Sequence, residues 1–403
     1  MSQASWRTPT AVLVCGGLIL TLSMGVRHTF GLFLQPMTVE HGWSRETFAF
    51  AIALQNLVWG FAQPFAGMIA DRHGAGRVLV GGAILYVLGL ALMTQASTGL
   101  ALSLSAGLLI GLGLAGTTFG VIYGVIGRTF PPERRSQALG VAGAAGSFGL
   151  FAMLPFAQTL MSSLGWLSAL LVLAATAALM APLASALVED RPAAQGPQQS
   201  IGHALAEAGG HRGFWLLCWG FFVCGFQVVF IAAHLPAYLG DLKFGPEVGM
   251  MALALIGLFN ILGTYGAGWL GGRYTKKYLL SGIYILRAIA IIAFITLPIT
   301  TASVYAFAAV MGVLWLSTVP LTNGVVSQIF GVSYLATLFG IVFLFHQLGS
   351  FLGVWLGGYL YDLTGSYQVV WIIAIGLSAM AAVLNWPIDD RPVARLRAQG
   401  AAA

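Results

Sequence analysis

Only 7% of the 403 residues are charged, while 58% are hydrophobic and the mean hydropathy is +0.88. A soluble domain carries roughly a quarter charged residues and turns much of its exterior to water. This composition therefore excludes a soluble enzyme or nucleic-acid-binding domain, and the formal net charge of +6 needs an explanation within a chain that lives in lipid.

The N-terminus is short and polar, and the first apolar run covers about 10–36. It is too long for the core of a cleaved signal and no small-residue cleavage site follows, so it reads as a retained first span. Stretches of ~20 residues cross a ~30 Å hydrocarbon core. They recur at 47–70, 78–97, 100–128, 135–161, 166–188, 213–239, 247–271, 278–298, 302–330, 335–361 and 367–387, which predicts an all-α membrane protein of twelve transmembrane helices. The polar segment 189–212 separates six from six. We expect an N-terminal six-helix bundle (1–188), a cytoplasmic linker (189–212) with a short amphipathic helix near 200–208, and a C-terminal six-helix bundle with a short tail (213–403). An even count puts both termini on one side, and that side collects 14 of the 18 Lys and Arg. The opposite side holds only Arg45 and Lys243. The positive-inside rule places both termini in the cytoplasm and the chain, multi-pass, in a bacterial cytoplasmic (inner) membrane. The net charge is thereby topology, which leaves a nucleic-acid partner without support. Cys15, Cys218 and Cys224 sit in apolar runs with neither metal-ligand spacing nor a disulfide framework.

The two halves repeat at a shift of about 200 residues. Gly25, Phe30 and Pro36 return as Gly225, Phe230 and Pro236, Gly140 as Gly340, and Gly165 as Gly365. The exit Glu189-Asp190-Arg191-Pro192 returns as Asp389-Asp390-Arg391-Pro392. Such a shared register implies two pseudo-symmetric bundles related by an axis along the membrane normal, with a binding region between them near mid-depth.

The loop after span 2 runs from Gly67 through Asp71, Arg72 and Gly74 to Arg77. It resembles the loop signature Gly-x-x-x-Asp-Arg-x-Gly of the major facilitator superfamily. There Asp71 with Arg72 and Arg77 would latch one conformation, Gly67 would let helices approach closely, and Gly74 would make a tight turn. The counterpart after span 8 keeps Gly268 and Arg273 but has Gly272 in the acid's place, so the second latch should be weaker. The resemblance covers essentially the whole chain. It implies the major facilitator fold and a monomeric secondary transporter working by alternating access. No Walker-type phosphate loop, nucleophile–base pair or metal cluster is visible in the sequence, so no cofactor, ATP use or enzymatic activity is expected.

All twelve carboxylates fall in loops or at span ends, whereas Arg27 (span 1) and Arg287 (span 9) lie at depth. A central Arg costs at least about 2.5 kcal/mol, and a substrate bringing the negative charge would answer both. The plainer alternatives are that Arg287 bonds to backbone carbonyls on a supporting helix and that Arg27 lies near the external mouth. His28 and His346 are candidates for substrate contact and proton coupling, or simple buried hydrogen-bonding histidines; His234 reads as structural. Tyr123 and Asn323 occupy equivalent places on spans 4 and 10, and with Gln227 complete the candidate substrate set. Asn56, Asn260 and Gln347 could serve either a ligand or a neighbouring helix.

The run Gly25 to Phe33, with Trp43 and Ser44 before span 2, resembles the monocarboxylate porter and oxalate/formate antiporter branch. In the animal monocarboxylate porters a functional lysine matches His28, and an Asp and an Arg one turn apart in span 8 match Asn260 and Thr264, so the pair is absent here. The resemblance implies carriage of a small organic anion, proton-coupled or by anion exchange. An efflux carrier for amphipathic or drug-like compounds is the alternative, and a non-transporting membrane sensor a third.

Overall fold

A computed structural model describes residues 7–130, 132–188, 200–331 and 335–401; of the predicted linker 189–212, residues 189–199 lie outside them. The described residues form helices and connections with no strand. Among the described residues ten helical stretches are long and apolar enough to cross a membrane. One of them, Gly140–Leu187, turns at Gly165, which has φ 79° inside the helical run Pro132–Ala178, and so contributes spans 5 and 6. Arg45–His73, diluted by Gln55, Asn56 and Gln63, supplies span 2. Twelve crossings result, as the apolar pattern predicts.

Local signals set the ends. Thr8, Ser44 and Ser200 cap spans 1 and 2 and the helix Ile201–Gly209 through their side chains. Thr300 and Ser303 form a reciprocal capping box at the start of span 10. Gly74 takes φ 91° between spans 2 and 3, the turn expected there. Large apolar residues face outward where lipid would lie, among them Leu262, Ile289, Ile372 and Val383.

The repeat extends to the packing. A Cβ on Gly25 (span 1) would lie 2.7 Å from Gly149 O (span 5), and one on Gly225 (span 7) 1.8 Å from His346 O (span 11). Both crossings put helix backbone against helix backbone, which only glycine permits. Gly225→Ala should therefore lower the melting temperature by several degrees, since overpacking costs about 1–3 kcal/mol. Gly340→Ala, where a Cβ meets nothing within 4 Å, should leave it unchanged. Equal effects in a thermal-shift assay would refute this reading of the crossing.

Spans 4 and 10 are both broken, at equivalent depth. Span 4 passes through a π-helical turn, Ser103–Leu109, then stops at Thr117 and resumes at Phe119. Span 10 stops at Leu314 and resumes at Thr318. Backbone groups freed inside a membrane must find partners within the protein. Gln63 supplies one by donating to Ala115 O at 3.3 Å, and Gln55 donates to Ala106 O in the π-turn at 2.8 Å. In span 10, Arg287 donates to the carbonyls of Leu314 and Trp315. Asn260 accepts from Leu316 N–H at 3.0 Å.

Candidate functional site

The bundles meet along spans 1 and 7, 2 and 11, and 5 and 8. On the side away from the termini, Arg45 at the start of span 2 forms a bidentate pair with Asp241 at the end of span 7 (2.8 and 2.6 Å). It also donates to Tyr367 Oη (3.0 Å) and stacks on Tyr361 (3.9 Å). Asp362, near the end of span 11, accepts from the backbone N–H groups of Arg45 and Glu46 (3.2 and 2.8 Å), so it caps a helix of the other bundle. Trp355 donates to Glu46 at 3.0 Å. This network closes the far side.

The terminal side is open along the seam. A Cβ on Gly67, Gly140 or Gly340 would meet nothing within 4 Å, and Phe61, Phe65 and Met68 on span 2 are exposed. The close approach expected at Gly67 is therefore not made in this conformation. Of the predicted latch, Arg77 and Arg273 are exposed, Arg273 lying 3.8 Å over the Trp269 ring. The side chains of Asp71 and Arg72 lie outside the described residues.

At mid-depth in the seam, Arg27 donates to Asn56 Oδ1 and lies 5.1 Å over the ring of Trp59. Asn56 is fixed in turn by donating to Ile52 O at 2.7 Å. Among the described residues no carboxylate contacts Arg27. A cavity of about 20 Å³, room for one water-sized guest, is lined by Arg27, His28 and Gln55 together with Ala232 and Ala233 of span 7. Three buried polar atoms without partners belong to the same three side chains: Arg27 Nε, His28 Nε2 and Gln55 Oε1. The donor, the acceptor and the ambivalent imidazole nitrogen are complementary to a small oxygen ligand. His28 also meets the edge of Trp315 across the seam, with ring centroids 6.3 Å apart.

A run of rings leads from Arg27 to the other bundle. Trp59 packs edge-on to Phe343 (5.3 Å), which stacks on His346 (5.7 Å). His346 Nδ1 faces Gln347 Oε1 at 3.1 Å and Ser350 Oγ at 3.4 Å. Tyr123 and Asn323 are half-buried and do not meet each other or Arg27. Asn323 keeps one buried oxygen, Oδ1, without a partner. His234 uses both ring nitrogens, on Tyr367 and Val354 O, as its structural reading expects.

Arg287 and Gln227 lie together inside the C-terminal bundle, off the seam. Arg287 is fully buried, donating to Leu314 O, Trp315 O and, at 3.3 Å, to Gln227 Oε1. Gln227 is fully buried too and donates to Ala374 O and Ser378 Oγ. Of the two arginines only Arg27 borders the cavity. Gln55, Trp59, Trp315 and Phe343 are seam residues that sequence reasoning missed. Gln55 alone carried a signal, as a polar residue adjacent to Asn56.

The Major Facilitator Superfamily pattern matches residues 13–353. The chain belongs to the major facilitator superfamily. Its relatives include an uncharacterised transporter of Bacillus subtilis, 26% identical over 389 residues and 92% of each chain. Monocarboxylate transporter 13 of Rattus norvegicus is 28% identical, over 88% of this chain and 82% of that one. Human monocarboxylate transporter 11 is 26% identical over 92% and 79%. A solved bacterial homologue of the lysosomal transporter Spinster, described as inward-facing and unoccupied, superposes with TM-score 0.77 over 97% of this chain and 99% of its own, at 16% identity. That likeness is one of fold. Superfamily membership makes the chain a membrane transporter, not an enzyme, as expected.

Proposed function

We propose that the chain carries a small, monocarboxylate-like organic anion across a bacterial cytoplasmic membrane by alternating access. With both termini cytoplasmic, the closed far side is external and the structure is the inward-open state. The observation that carries the reading is Arg27: a cation at mid-depth in the seam, held by Asn56 and Trp59, with no carboxylate against it among the described residues. A buried charge of that kind is costly unless paired, and a carboxylate substrate supplies the pair. Similarity to monocarboxylate transporters at under 30% identity supports the same class. Tyr123 and Asn323, half-buried on the terminal-side halves of spans 4 and 10, are the proposed contacts for the solute's remainder. His28, beside Arg27 at the cavity, and His346, at the far end of the ring series, are the proposed proton-coupling candidates, an imidazole nitrogen being able to take up or release a proton.

Proteoliposomes test this directly. Labelled small carboxylates should enter by counterflow against unlabelled internal substrate, and an inward proton gradient should separate symport from exchange. Movement of neutral or cationic compounds alone would overturn the anion reading.

A further inference from the structure

We infer that Cys224 is the counter-ion of Arg287, its sulfur carried as a thiolate in an ion pair buried in the C-terminal bundle. Arg287 is 0% exposed, and the sequence places all twelve carboxylates in loops or at span ends. Among the described residues no carboxylate touches its guanidinium. The carbonyls of Leu314 and Trp315 satisfy its hydrogen bonds but not its charge. The chargeable atom against it is Cys224 Sγ, 3.6 Å from one terminal nitrogen.

The sulfur has the surroundings that hold a thiolate: an adjacent guanidinium, a hydroxyl free to donate to it and a helix N-terminus. Thr318 Oγ1 lies 3.2 Å from it, and Thr318 opens the 13-residue half-helix Thr318–Phe330, whose amide dipoles favour negative charge at that end. Trp315 O, 3.9 Å from the sulfur, is a carbonyl already bonded to Arg287. The other titratable groups facing this point are Tyr284 and His346, the latter itself within hydrogen-bond reach of the sulfur. Tyr284 donates to Gly220 O at 2.6 Å, and His346 faces Gln347 and Ser350. Two opposite charges in contact cost far less in the membrane interior than a single cation. The inference stands whichever solute is carried.

The test uses full-length protein in which Cys15→Ser and Cys218→Ser leave Cys224 as the one thiol, read by ultraviolet thiolate absorbance at neutral pH against a Cys224→Ser blank. The expected signal is about one thiolate per chain, kept in Arg287→Lys and lost in Arg287→Gln. No signal in the single-cysteine protein overturns the pair, as does an undiminished signal in Arg287→Gln. Should Arg287→Gln fail to fold, Thr318→Val serves: a reduced signal at unchanged helicity supports the pair, and an unchanged one overturns it.

Discussion

Arg27→Gln is expected to lower carboxylate transport by about 100-fold or more, equivalent to roughly 3 kcal/mol, the cost of removing one partner from a buried charge pair. Lysine at the same position keeps the charge but loses the planar fork that grips a carboxylate at two points, so Arg27→Lys should fall between. Both variants should fold, because Asn56 is held independently by Ile52 O and the guanidinium satisfies no helix backbone. The wild type should melt higher in the presence of a transported carboxylate, since ligand binding favours the native state. Arg27→Gln should lose that increment while keeping its ligand-free melting temperature. A variant that still gains stability from the anion would show that Arg27 is not its contact.

The other large effect is expected at the far-side closure. Arg45 and Asp241 are mostly shielded, with side chains 13% and 30% exposed, and removing one leaves the other unpaired. Allowing for partial exposure, the loss is on the order of 2 kcal/mol, a shift of roughly 30-fold toward the state open on the far side. Asp241→Asn should thus lengthen distances between spin labels placed across that side, and slow transport by trapping the carrier there. The exchange Arg45→Asp with Asp241→Arg should recover part of both. Unchanged distances in Asp241→Asn would remove this ion pair from gating.

The span pattern was legible because each crossing is an apolar run bounded by polar residues, and Gly165 and Gly365 marked equivalent turns, both at positive φ. The breaks in spans 4 and 10 were not. Thr118 and the stretch from Trp315 to Ser317 sit in runs as apolar as their flanks, and the residues that stabilise the breaks arrive from other helices. Arg287 shows the same limit. Its depth could be read from its place in span 9, but its partners are carbonyls freed by a break 27 and 28 positions away. Arg45 was conspicuous as one of two cations on its side, yet Asp241 and Asp362 lie 196 and 317 positions along the chain, a pairing that only the assembled bundles reveal. Arg27 and Gln227 occupy matching places in the repeat but face different surroundings, so symmetry located the pair without saying which member borders the cavity.

Membrane voltage acts differently on the empty and the loaded carrier. With no carboxylate against Arg27 among the described residues, rocking of the empty protein displaces a positive charge relative to the field, and the proposed monovalent anion would cancel it. A neutral Arg287–Cys224 pair adds nothing to either. An elementary charge crossing the whole field is worth about 2.3 kcal/mol per 100 mV, and a group at mid-depth feels a share of that. In the proposed orientation interior-negative voltage draws the empty site toward the cytoplasm, and loading with a monovalent anion alone leaves that step electrically silent. With the termini cytoplasmic, as proposed, an energised cell would favour the conformation described here.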